Sequence, residues 1–248
     1  MSDENKNASE QESAQHQGGS SKGKYYDGVP DYMVDVYDWA YVNPKKAALL
    51  DRNIVVWVLL FLNAGRLMNR YLREIKPGMR VWQVAHVYGD LVKKAAQKVG
   101  PQGEFVLTDV TPVQLEHAEK KIGQHPWVRI IREDAAVFKD EKPFDLACNF
   151  MLLHEIPDEK KYHVVDRILE SIGENGKAVF VEYANPSKLH PIRPILQFVN
   201  WWLEPFSETM WKRSIKSFAS HPEKYKWTTE SIFGGVYQCV IAEPLKES

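Results

Sequence analysis

The stretch VWQVAHVYGDL, residues 81–91, concentrates side chains that could do chemistry. Its pattern predicts a strand, a short loop and a helix, and the N–H groups at the start of that helix would face a bound ligand. Gly89 can adopt backbone angles closed to other residues and would let a ligand approach closely. His86 could act as a base or a metal ligand, and Tyr88 could orient a substrate. Asp90 is better suited to capping the helix.

Two carboxylates follow the next predicted strands. Asp109 lies twenty residues after Gly89, a spacing at which an acid accepts hydrogen bonds from ribose hydroxyls in dinucleotide-binding folds. It could instead cap a helix, but Thr111 already stands at that position. Asp134 could accept a hydrogen bond from an adenine amino group, with the N–H of Ala135 beside it. The alternative for Asp134 is an ordinary turn aspartate.

A fourth predicted strand ends in the stretch CNFMLLHEIPD. Asn149 and Phe150 would border the same crevice as the carboxylates. His154 and Glu155 could act as acid or base at its mouth, and a structural role fits each of them as well. The letters HEIPD resemble the start of a zinc-binding H-E-x-x-H helix, but Pro157 breaks the helix that would align the ligands.

Alternating strand and helix patterns must position these residues. Between Met79 and Ala184, apolar strand-like segments are separated by helix-like segments, which predicts a parallel sheet with helices on both faces. The tail, residues 225–244, contains two strand patterns around Gly234 and Gly235 and predicts an antiparallel hairpin. We therefore expect an α/β protein with a Rossmann-like, mostly parallel seven-stranded sheet. Such sheets bind ligands at the carboxyl ends of their strands.

Composition divides the rest of the chain. Residues 1–24 have no aromatic and almost no aliphatic side chain, so we expect a disordered tail that is not a secretory signal. Residues 25–74 are predicted to form a helical cap, and residues 75–248 the main domain with a helical insertion at 186–221. A net charge of −1 lacks the basic excess of nucleic-acid-binding proteins. The two cysteines lie far apart in apolar runs, which favours buried thiols and a reducing compartment.

Two segments carry unusual numbers of apolar side chains. Ile54–Leu62 has nine consecutive apolar residues, whereas a membrane-spanning helix needs about 20. It is either a core helix or a helix that dips into a membrane interface or lines an apolar substrate mouth. The insertion mixes aromatic residues with cations, which suits a membrane interface or an aromatic ligand pocket, unless it forms two ordinary amphipathic helices. Its aromatic residues and cations are Phe198, Trp201, Trp202, Phe206 and Trp211 with Arg193, Lys212, Arg213 and Lys216.

The order of these motifs resembles class I S-adenosylmethionine-dependent methyltransferases, over about residues 75–185 and 225–244. The motifs are the loop, TDV, EDA, FDLACNFMLLHEIPD and GGVYQCVIAEP, and the quinone-ring methylases share the GDL after the loop. Members of that class have an acid followed by G-x-G-x-G. Here Gln83 replaces the acid, Ala85 and Val87 replace two glycines, and Gly89 remains. The resemblance implies cofactor binding by Gln83, Ala85, Gly89, Asp109, Val110, Asp134, Ala135 and Asn149.

A narrower resemblance is to the rhodoquinone-biosynthesis family, through the divergent VYGDL loop, the aromatic N-terminal helices and the Trp-rich insertion. It implies that S-adenosylmethionine donates an amine that replaces a methoxy group of ubiquinone, with Mn²⁺ assisting. It also implies a cytoplasmic protein peripherally associated with the inner membrane surface. The catalytic candidates are His86, Tyr88, His154 and Glu155. The residues indicate no metal ligand.

The chemistry of Gln83 agrees with amino transfer. A carboxylate beside the methionine ammonium favours the charged amine, and one unit of pKa corresponds to about 1.36 kcal/mol. A neutral amide at position 83 would let the amine lose its proton and attack an electron-poor quinone carbon, with loss of methanol. Two alternatives stay open: a quinone or lipid methyltransferase with a degenerate loop, and a non-catalytic binding protein that kept the fold.

Overall fold

A computed structural model describes residues 21–202 and 205–246. Its centre is a seven-stranded sheet, and the predicted architecture is confirmed. The strands are β1 (Arg80–Val84), β2 (Glu104–Asp109), β3 (Val128–Arg132), β4 (Phe144–Phe150), β5 (Ile172–Tyr183), β6 (Tyr225–Ile232) and β7 (Tyr237–Pro244). Their order across the sheet is β3-β2-β1-β4-β5-β7-β6. The first five strands are parallel, and β7 is antiparallel to both β5 and β6.

Helices cover both faces of the sheet and precede it. The cap contains α1 (Ser21–Tyr26), α2 (Asp31–Tyr37), a π-helical turn (Asp38–Val42), α3 (Pro44–Leu50), α4 (Asn53–Leu59) and α5 (Ala64–Leu72). The main domain contains α6 (Leu91–Val99), α7 (Pro112–Ile122), a 3-10 turn (Leu153–Glu155) and α8 (Asp158–Ser171). The insertion contains α9 (Arg193–Trp202), α10 (Glu208–Lys212) and two 3-10 turns (Ile215–Phe218, Pro222–Lys224).

Two apolar layers sandwich the sheet because successive strand residues face opposite sides. Val81 of β1 joins the layer that contains α5 and α6, and Trp82 joins the layer that contains α8 and the second half of the insertion. Both side chains are fully buried. Burial of both faces explains why the parallel strands have near-continuous apolar sequences. The two cysteines, Cys148 and Cys239, are buried free thiols in the first layer.

The predicted boundary of the N-terminal tail is too late. Helix α1 begins at Ser21, so the prediction of disorder is wrong for residues 21–24. Lys24 and Tyr25 of this helix are anchored to α7, where both side chains donate to the carboxylate of Glu116. Residues 1–20 lie outside the described part of the chain.

The interpretation of the apolar run as a core helix is wrong. In α4, Val56 is buried, but Ile54, Trp57 and Val58 are 73%, 49% and 63% exposed. The helix ends at Leu59, and the next turn brings Phe61 and Leu62 into the left-handed backbone region. An apolar surface that faces outward agrees with the alternative of a membrane interface or a substrate mouth. None of the described helices is long and apolar enough to cross a bilayer.

The insertion forms helices and also exposes apolar surface. On α9, Leu196 is buried, whereas Ile195, Phe198 and Trp201 are exposed. Its second half is fixed to the domain by Lys161 of α8, whose buried ammonium donates to Asp158 and Thr209 at 2.6 and 2.5 Å. The side chain of Trp202 lies outside the described part of the chain.

Candidate functional site

The loop after β1 is clamped between the cap and α7. The N–H of Gly89 donates to Asp51 Oδ1 at 2.9 Å. Lys121 Nζ donates to the same carboxylate at 2.5 Å and to the carbonyl of Gly89 at 2.9 Å. A Cβ added to Gly89 would lie 2.8 Å from Asn53 Oδ1. The glycine therefore permits close approach of α4, and its contact with a bound ligand stays a prediction.

His86 is held inside this clamp. Its Nδ1 lies 2.9 Å from Gln114 Oε1 and its Nε2 lies 3.3 Å from Lys121 Nζ. Because an ammonium only donates, Nε2 accepts and Nδ1 carries the proton. Burial lowers the pKa of His86 well below its ordinary value, and the charge of Lys121 adds to the effect. Both ring nitrogens are thus engaged in a neutral ring, which favours a structural role over the predicted base or metal ligand.

Tyr88 links the loop to the cap. Its hydroxyl donates to the carbonyl of Ala40 at 2.6 Å and accepts from Gln114 Nε2 at 2.6 Å. Its ring stacks on Tyr41 with centroids 5.6 Å apart. Asp90 stands at the predicted N-cap position of α6, with its charge at the start of the helix, although its side chain makes no capping hydrogen bond.

Asp109, at the carboxyl end of β2, is engaged by neighbouring backbone. Its Oδ2 accepts from the N–H of His86 at 2.9 Å. Its Oδ1 accepts from the N–H and the hydroxyl of Thr111 at 2.8 and 2.7 Å. Thr111 stands at the predicted N-cap position of α7, but its side chain makes no capping bond there. Burial raises the pKa of Asp109 above its ordinary value despite these donors.

Asp134 has the contacts of a turn aspartate. Its Oδ1 accepts from the N–H of Ala136 at 2.9 Å, and its Oδ2 accepts from Lys160 Nζ at 2.7 Å. This is the alternative that the sequence left open. Binding of ribose by Asp109 and of adenine by Asp134 stay predictions.

A narrow cavity, called here the crevice, runs along the strand ends. Its walls include five of the predicted cofactor residues, namely Ala85, Asp109, Val110, Asp134 and Ala135. Its volume is about 60 Å³, whereas small-molecule sites commonly span about 300–1,000 Å³. Tyr32, Met33 and Tyr41 of the cap also line it. A bound nucleoside would have to displace these cap side chains.

Three predicted cofactor residues do not line the crevice. Gln83 and Asn149 are fully buried, and Gly89 packs against α4. Gln83 Nε2 donates to the carbonyls of Val84 and Ala85 at 3.0 and 3.1 Å, and its Oε1 has no hydrogen-bond partner. Contacts of these three residues with a cofactor stay predictions.

A second cavity, called here the apolar pocket, adjoins the crevice and has a volume of about 340 Å³. Its walls come from α4, the loop, the end of β4 and α9, and its polar residues include the catalytic candidates His86, Tyr88, His154 and Glu155. Phe150 lines this pocket and not the crevice, which is the cavity that the sequence predicted it to border. Five residues line both cavities: Tyr41, Ala85, His86, Leu152 and Glu155.

Glu182, at the end of β5, is a site residue that was missed in the sequence. It is fully buried and accepts from Asn149 Nδ2 at 3.1 Å and from the N–H of Leu153 at 2.5 Å. His154 Nδ1 lies 2.9 Å from its Oε2. Burial alone would raise the pKa of Glu182, but His154 and these donors hold it below its ordinary value. A lone acid inside the apolar strand AVFVEYA was the available signal.

On the other side of the imidazole, His154 Nε2 lies 3.6 Å from Glu155 Oε1. The hydroxyl of Tyr41 donates to the same oxygen of Glu155. The site thus combines an apolar pocket with a histidine that a buried carboxylate orients, which is suited to moving protons to or from a bound ring.

Residues that could hold a metal ion are not grouped in this site. Within residues 21–202 and 205–246, no cluster of three or more histidine, cysteine, aspartate or glutamate side chains could bind a metal ion. The Mn²⁺ implied by the narrower resemblance therefore does not fit the described residues. The crevice suits S-adenosylmethionine better, because carboxylates outnumber cations on its walls, namely Asp109, Glu133, Asp134 and Glu155 against Lys160, and that cofactor carries a net positive charge.

The strand order, the terminal hairpin and a crevice at the strand ends define a Rossmann-like class I methyltransferase fold. Residues 81–176 match a family model described as "Methyltransferase domain". Solved structures agree on the fold: mitomycin 7-O-methyltransferase MmcR has a TM-score of 0.61 at 14% identity, covering 82% of this chain and 58% of that chain. Human N-acetylserotonin methyltransferase in complex with SAM has a TM-score of 0.55 at 15% identity, covering 88% and 63%.

Curated relatives are ubiquinone/menaquinone biosynthesis C-methyltransferases UbiE. The protein from Idiomarina loihiensis is 24% identical over 181 residues, which cover 70% of this chain and 68% of the relative. The protein from Ectopseudomonas mendocina is 25% identical over 174 residues, covering 67% and 64%. The similarity is thus to S-adenosylmethionine-dependent methyltransferases, among them enzymes named for quinone biosynthesis.

Proposed function

We propose that this protein transfers a group from S-adenosylmethionine to the ring of a ubiquinone-type quinone. The observation that carries the proposal is the junction of the two cavities, where a crevice at the strand ends meets an apolar pocket large enough for a quinone ring. The quinone-biosynthesis methyltransferases among the relatives support the substrate class.

Methyl transfer to a ring carbon is the reaction that the relatives support. S-Adenosylmethionine would supply an electrophilic methyl group, and the chain would supply the setting. The apolar walls of the pocket exclude water and hold the ring, while Ala85 and Leu152 on the shared wall leave space between the cavities. His154, oriented by Glu182 at 2.9 Å, would take the proton of a ring hydroxyl and so raise the electron density at carbon.

Amino transfer, with replacement of a methoxy group of ubiquinone, is the second candidate. The neutral Gln83 favours it, because the position that holds an acid in ordinary methyltransferases carries an amide whose N–H groups point to carbonyls. The methionine amine would then lack that carboxylate and could attack the ring carbon, with loss of the methoxy group as methanol. The quinone ring of the adduct would then oxidise the Cα–N bond to an imine and become a quinol, and water would cleave the imine to an aminoquinol and the α-keto acid of the cofactor. In this reaction His154 would donate its proton to the departing methoxy oxygen.

An isotope experiment separates the two reactions. The protein is incubated in detergent with S-adenosylmethionine labelled with ¹³C in the methyl group and ¹⁵N in the amine. One acceptor is ubiquinone, and the other is a prenylated methoxybenzoquinol that has an unsubstituted ring carbon and ring hydroxyls. Methyl transfer predicts ¹³C in the product of the benzoquinol, and amino transfer predicts ¹⁵N in the product of ubiquinone. If the protein binds S-adenosylmethionine but neither label appears in any quinone, both proposed reactions are contradicted. The remaining hypothesis would then be a non-catalytic binding protein.

The exposed apolar faces of α4 and α9 support a membrane partner for the same pocket. Val58 and Leu59 of α4 and Ile195 of α9 line the pocket and are also exposed. Arg52 immediately precedes α4, and Lys45 and Lys46 lie on the preceding helix α3. Apolar side chains with adjacent cations suit a membrane interface that contains anionic lipid. We infer that the pocket opens toward the cytoplasmic face of the inner membrane, from which a quinone with an apolar tail would enter.

A further inference from the structure

Glu155 occupies a singular position between the two cavities. It ends the 3-10 turn after β4, is 8% exposed, and lines both the crevice and the apolar pocket. The other residues that line both cavities are Tyr41, Ala85, His86 and Leu152, so Glu155 is the carboxylate of the shared wall. The hydroxyl of Tyr41 donates to its Oε1, which fixes the direction of the carboxylate from the cap side.

Burial of a carboxylate is costly unless donors or cations face it. Of the carboxylates that line the crevice, Asp109 accepts three hydrogen bonds from the loop and from Thr111. Asp134 is paired with Lys160 at 2.7 Å. Glu155 faces Tyr41 and, at 3.6 Å, the imidazole of His154. A cationic ligand group at the junction would add a further favourable partner for this charge.

The arrangement of groups in S-adenosylmethionine indicates that its sulfonium and ammonium would lie at this wall. S-Adenosylmethionine has its nucleoside at one end and its sulfonium and amino groups at the other. When the nucleoside lies in the crevice and the acceptor ring lies in the pocket, the end that gives up a group must lie between them. We propose, on the basis of the proposed function, that Glu155 binds the methionine ammonium of the cofactor in place of the acid that position 83 lacks.

This contact bears differently on the two reactions. In methyl transfer the carboxylate anchors the ammonium and so fixes the sulfonium toward the ring. For amino transfer the contact is unfavourable, because a carboxylate beside the ammonium favours the charged amine, whose lone pair is not available for attack. The acid of the site thus comes from the turn after β4 instead of from the end of β1.

The test is binding of ligands that differ in the amino-acid part. S-Adenosylhomocysteine carries the ammonium, whereas 5′-methylthioadenosine has neither the ammonium nor the carboxylate. For Glu155→Gln, calorimetry should give a Kd for S-adenosylhomocysteine that is about 10- to 100-fold higher, since a hydrogen bond to a charged group is lost. The Kd for 5′-methylthioadenosine should change less than about twofold.

Asp134→Asn is the matched control. It removes a carboxylate from the crevice wall on the far side from the shared wall, so it should weaken both ligands by the same factor. Thermal unfolding of each variant checks that it is folded. A measurement that needs no variant is the affinity of the natural protein for the deaminated analogue of S-adenosylhomocysteine, which should be about 10- to 100-fold weaker than for the parent compound.

Several results would overturn the inference while the proposed function stands. One is an unchanged Kd for S-adenosylhomocysteine in Glu155→Gln. Another is an equal loss for both ligands, which would mean that Glu155 shapes the crevice. A third is weaker binding of S-adenosylmethionine alone, which would assign the carboxylate to the sulfonium. If the natural protein binds none of these nucleosides, the proposed function fails together with the inference.

Discussion

The amide of Gln83 explains why an acid is absent from the end of β1. Its N–H groups donate to the carbonyls of Val84 and Ala85, and the side chain is fully buried. A carboxylate at position 83 would place a negatively charged oxygen against these two carbonyl oxygens inside a fully buried site. The residue therefore stabilises the unusual turn at Ala85, whose φ is +63°, in addition to any effect of its neutrality on a cofactor.

Gln83→Glu is expected to lower the free energy of unfolding by about 2–4 kcal/mol at pH 7.5, because two donors are lost and an unpaired charge is buried. Gln83→Met, which loses the donors without adding charge, should lower it by less. Urea denaturation measures both. The difference between the variants should shrink at lower pH, where a protonated glutamate is neutral and can donate. Equal losses at all pH values would contradict this account.

His86 gives the stability a pH dependence. Burial lowers the pKa of His86 well below its ordinary value, so below about pH 6.5 the unfolded chain binds a proton that the folded protein does not. The contribution of His86 to the free energy of unfolding is therefore fully present above that pH and is lost as the pH is lowered. From pH 7.5 to 5.5 we expect His86 to account for a loss of about 1.4 kcal/mol.

Denaturation of His86→Gln across the same pH range measures this contribution. The variant keeps a donor and an acceptor but does not titrate, so its loss should be smaller than that of the natural protein. The remaining dependence includes His117, whose pKa burial also lowers. Identical pH profiles for the two proteins would show that His86 is not the group responsible.

At the scale of elements, the loop after β1 depends on the cap for its conformation. Asp51, between α3 and α4, joins the loop at Gly89 to α7 at Lys121. Asp51→Asn leaves the partly buried Lys121 without its charge partner and should lower the free energy of unfolding by about 1–3 kcal/mol. Hydrogen exchange at the Gly89 amide should become faster. Asp90→Asn is the control, because the side chain of Asp90 is 46% exposed, and it should change the free energy of unfolding by less than about 0.5 kcal/mol. Equal effects of the two variants would contradict a role of Asp51 in fixing the loop.

The sequence was sufficient for the elements but not for their contacts. Strand and helix periodicity and the Gly234–Gly235 turn depend on local spacing, so they predicted the sheet and the hairpin. The clamp joins Asp51, Gly89 and Lys121, which are distant in the chain, and no local pattern indicates such a contact. Thr111 and Asp109 are close in the chain, but their residue types fit either a helix cap or a mutual hydrogen bond, and only the structure shows that the hydroxyl of Thr111 donates to Asp109.

At the scale of the whole molecule, the two helices that contribute to the apolar pocket, α4 and α9, also carry an exposed apolar rim. We define the rim as Ile54, Trp57 and Val58 of α4 with Phe198 and Trp201 of α9, all of which are exposed. Because the apolar run is longer than the buried part of α4, hydrophobicity alone could not decide between core and surface. The exposed side chains of Ile54, Trp57 and Val58 show that this part of the apolar run lies at the surface.

The proposed membrane contact predicts that Trp57→Glu combined with Trp201→Glu weakens binding to vesicles of phosphatidylcholine and phosphatidylglycerol at least about tenfold. Vesicle flotation measures the bound fraction. Leu245→Glu is the control, since Leu245 is 53% exposed and follows β7, which is antiparallel to β5 and so ends away from the carboxyl ends of the parallel strands. Equal binding by the double variant and the natural protein would contradict a membrane role for the rim.

The two cavities share one wall but have different outer walls. The crevice is bounded outside by Tyr32, Met33 and Lys160, and the apolar pocket by Val58, Leu59 and Ile195. On the proposed function, the spent nucleoside therefore departs into water by a route that the lipid-soluble reactant does not use. An enzyme molecule would then exchange its spent cofactor many times without leaving its vesicle. All of the quinone in a vesicle that carries enzyme would therefore be converted, while the quinone in vesicles without enzyme would stay unchanged.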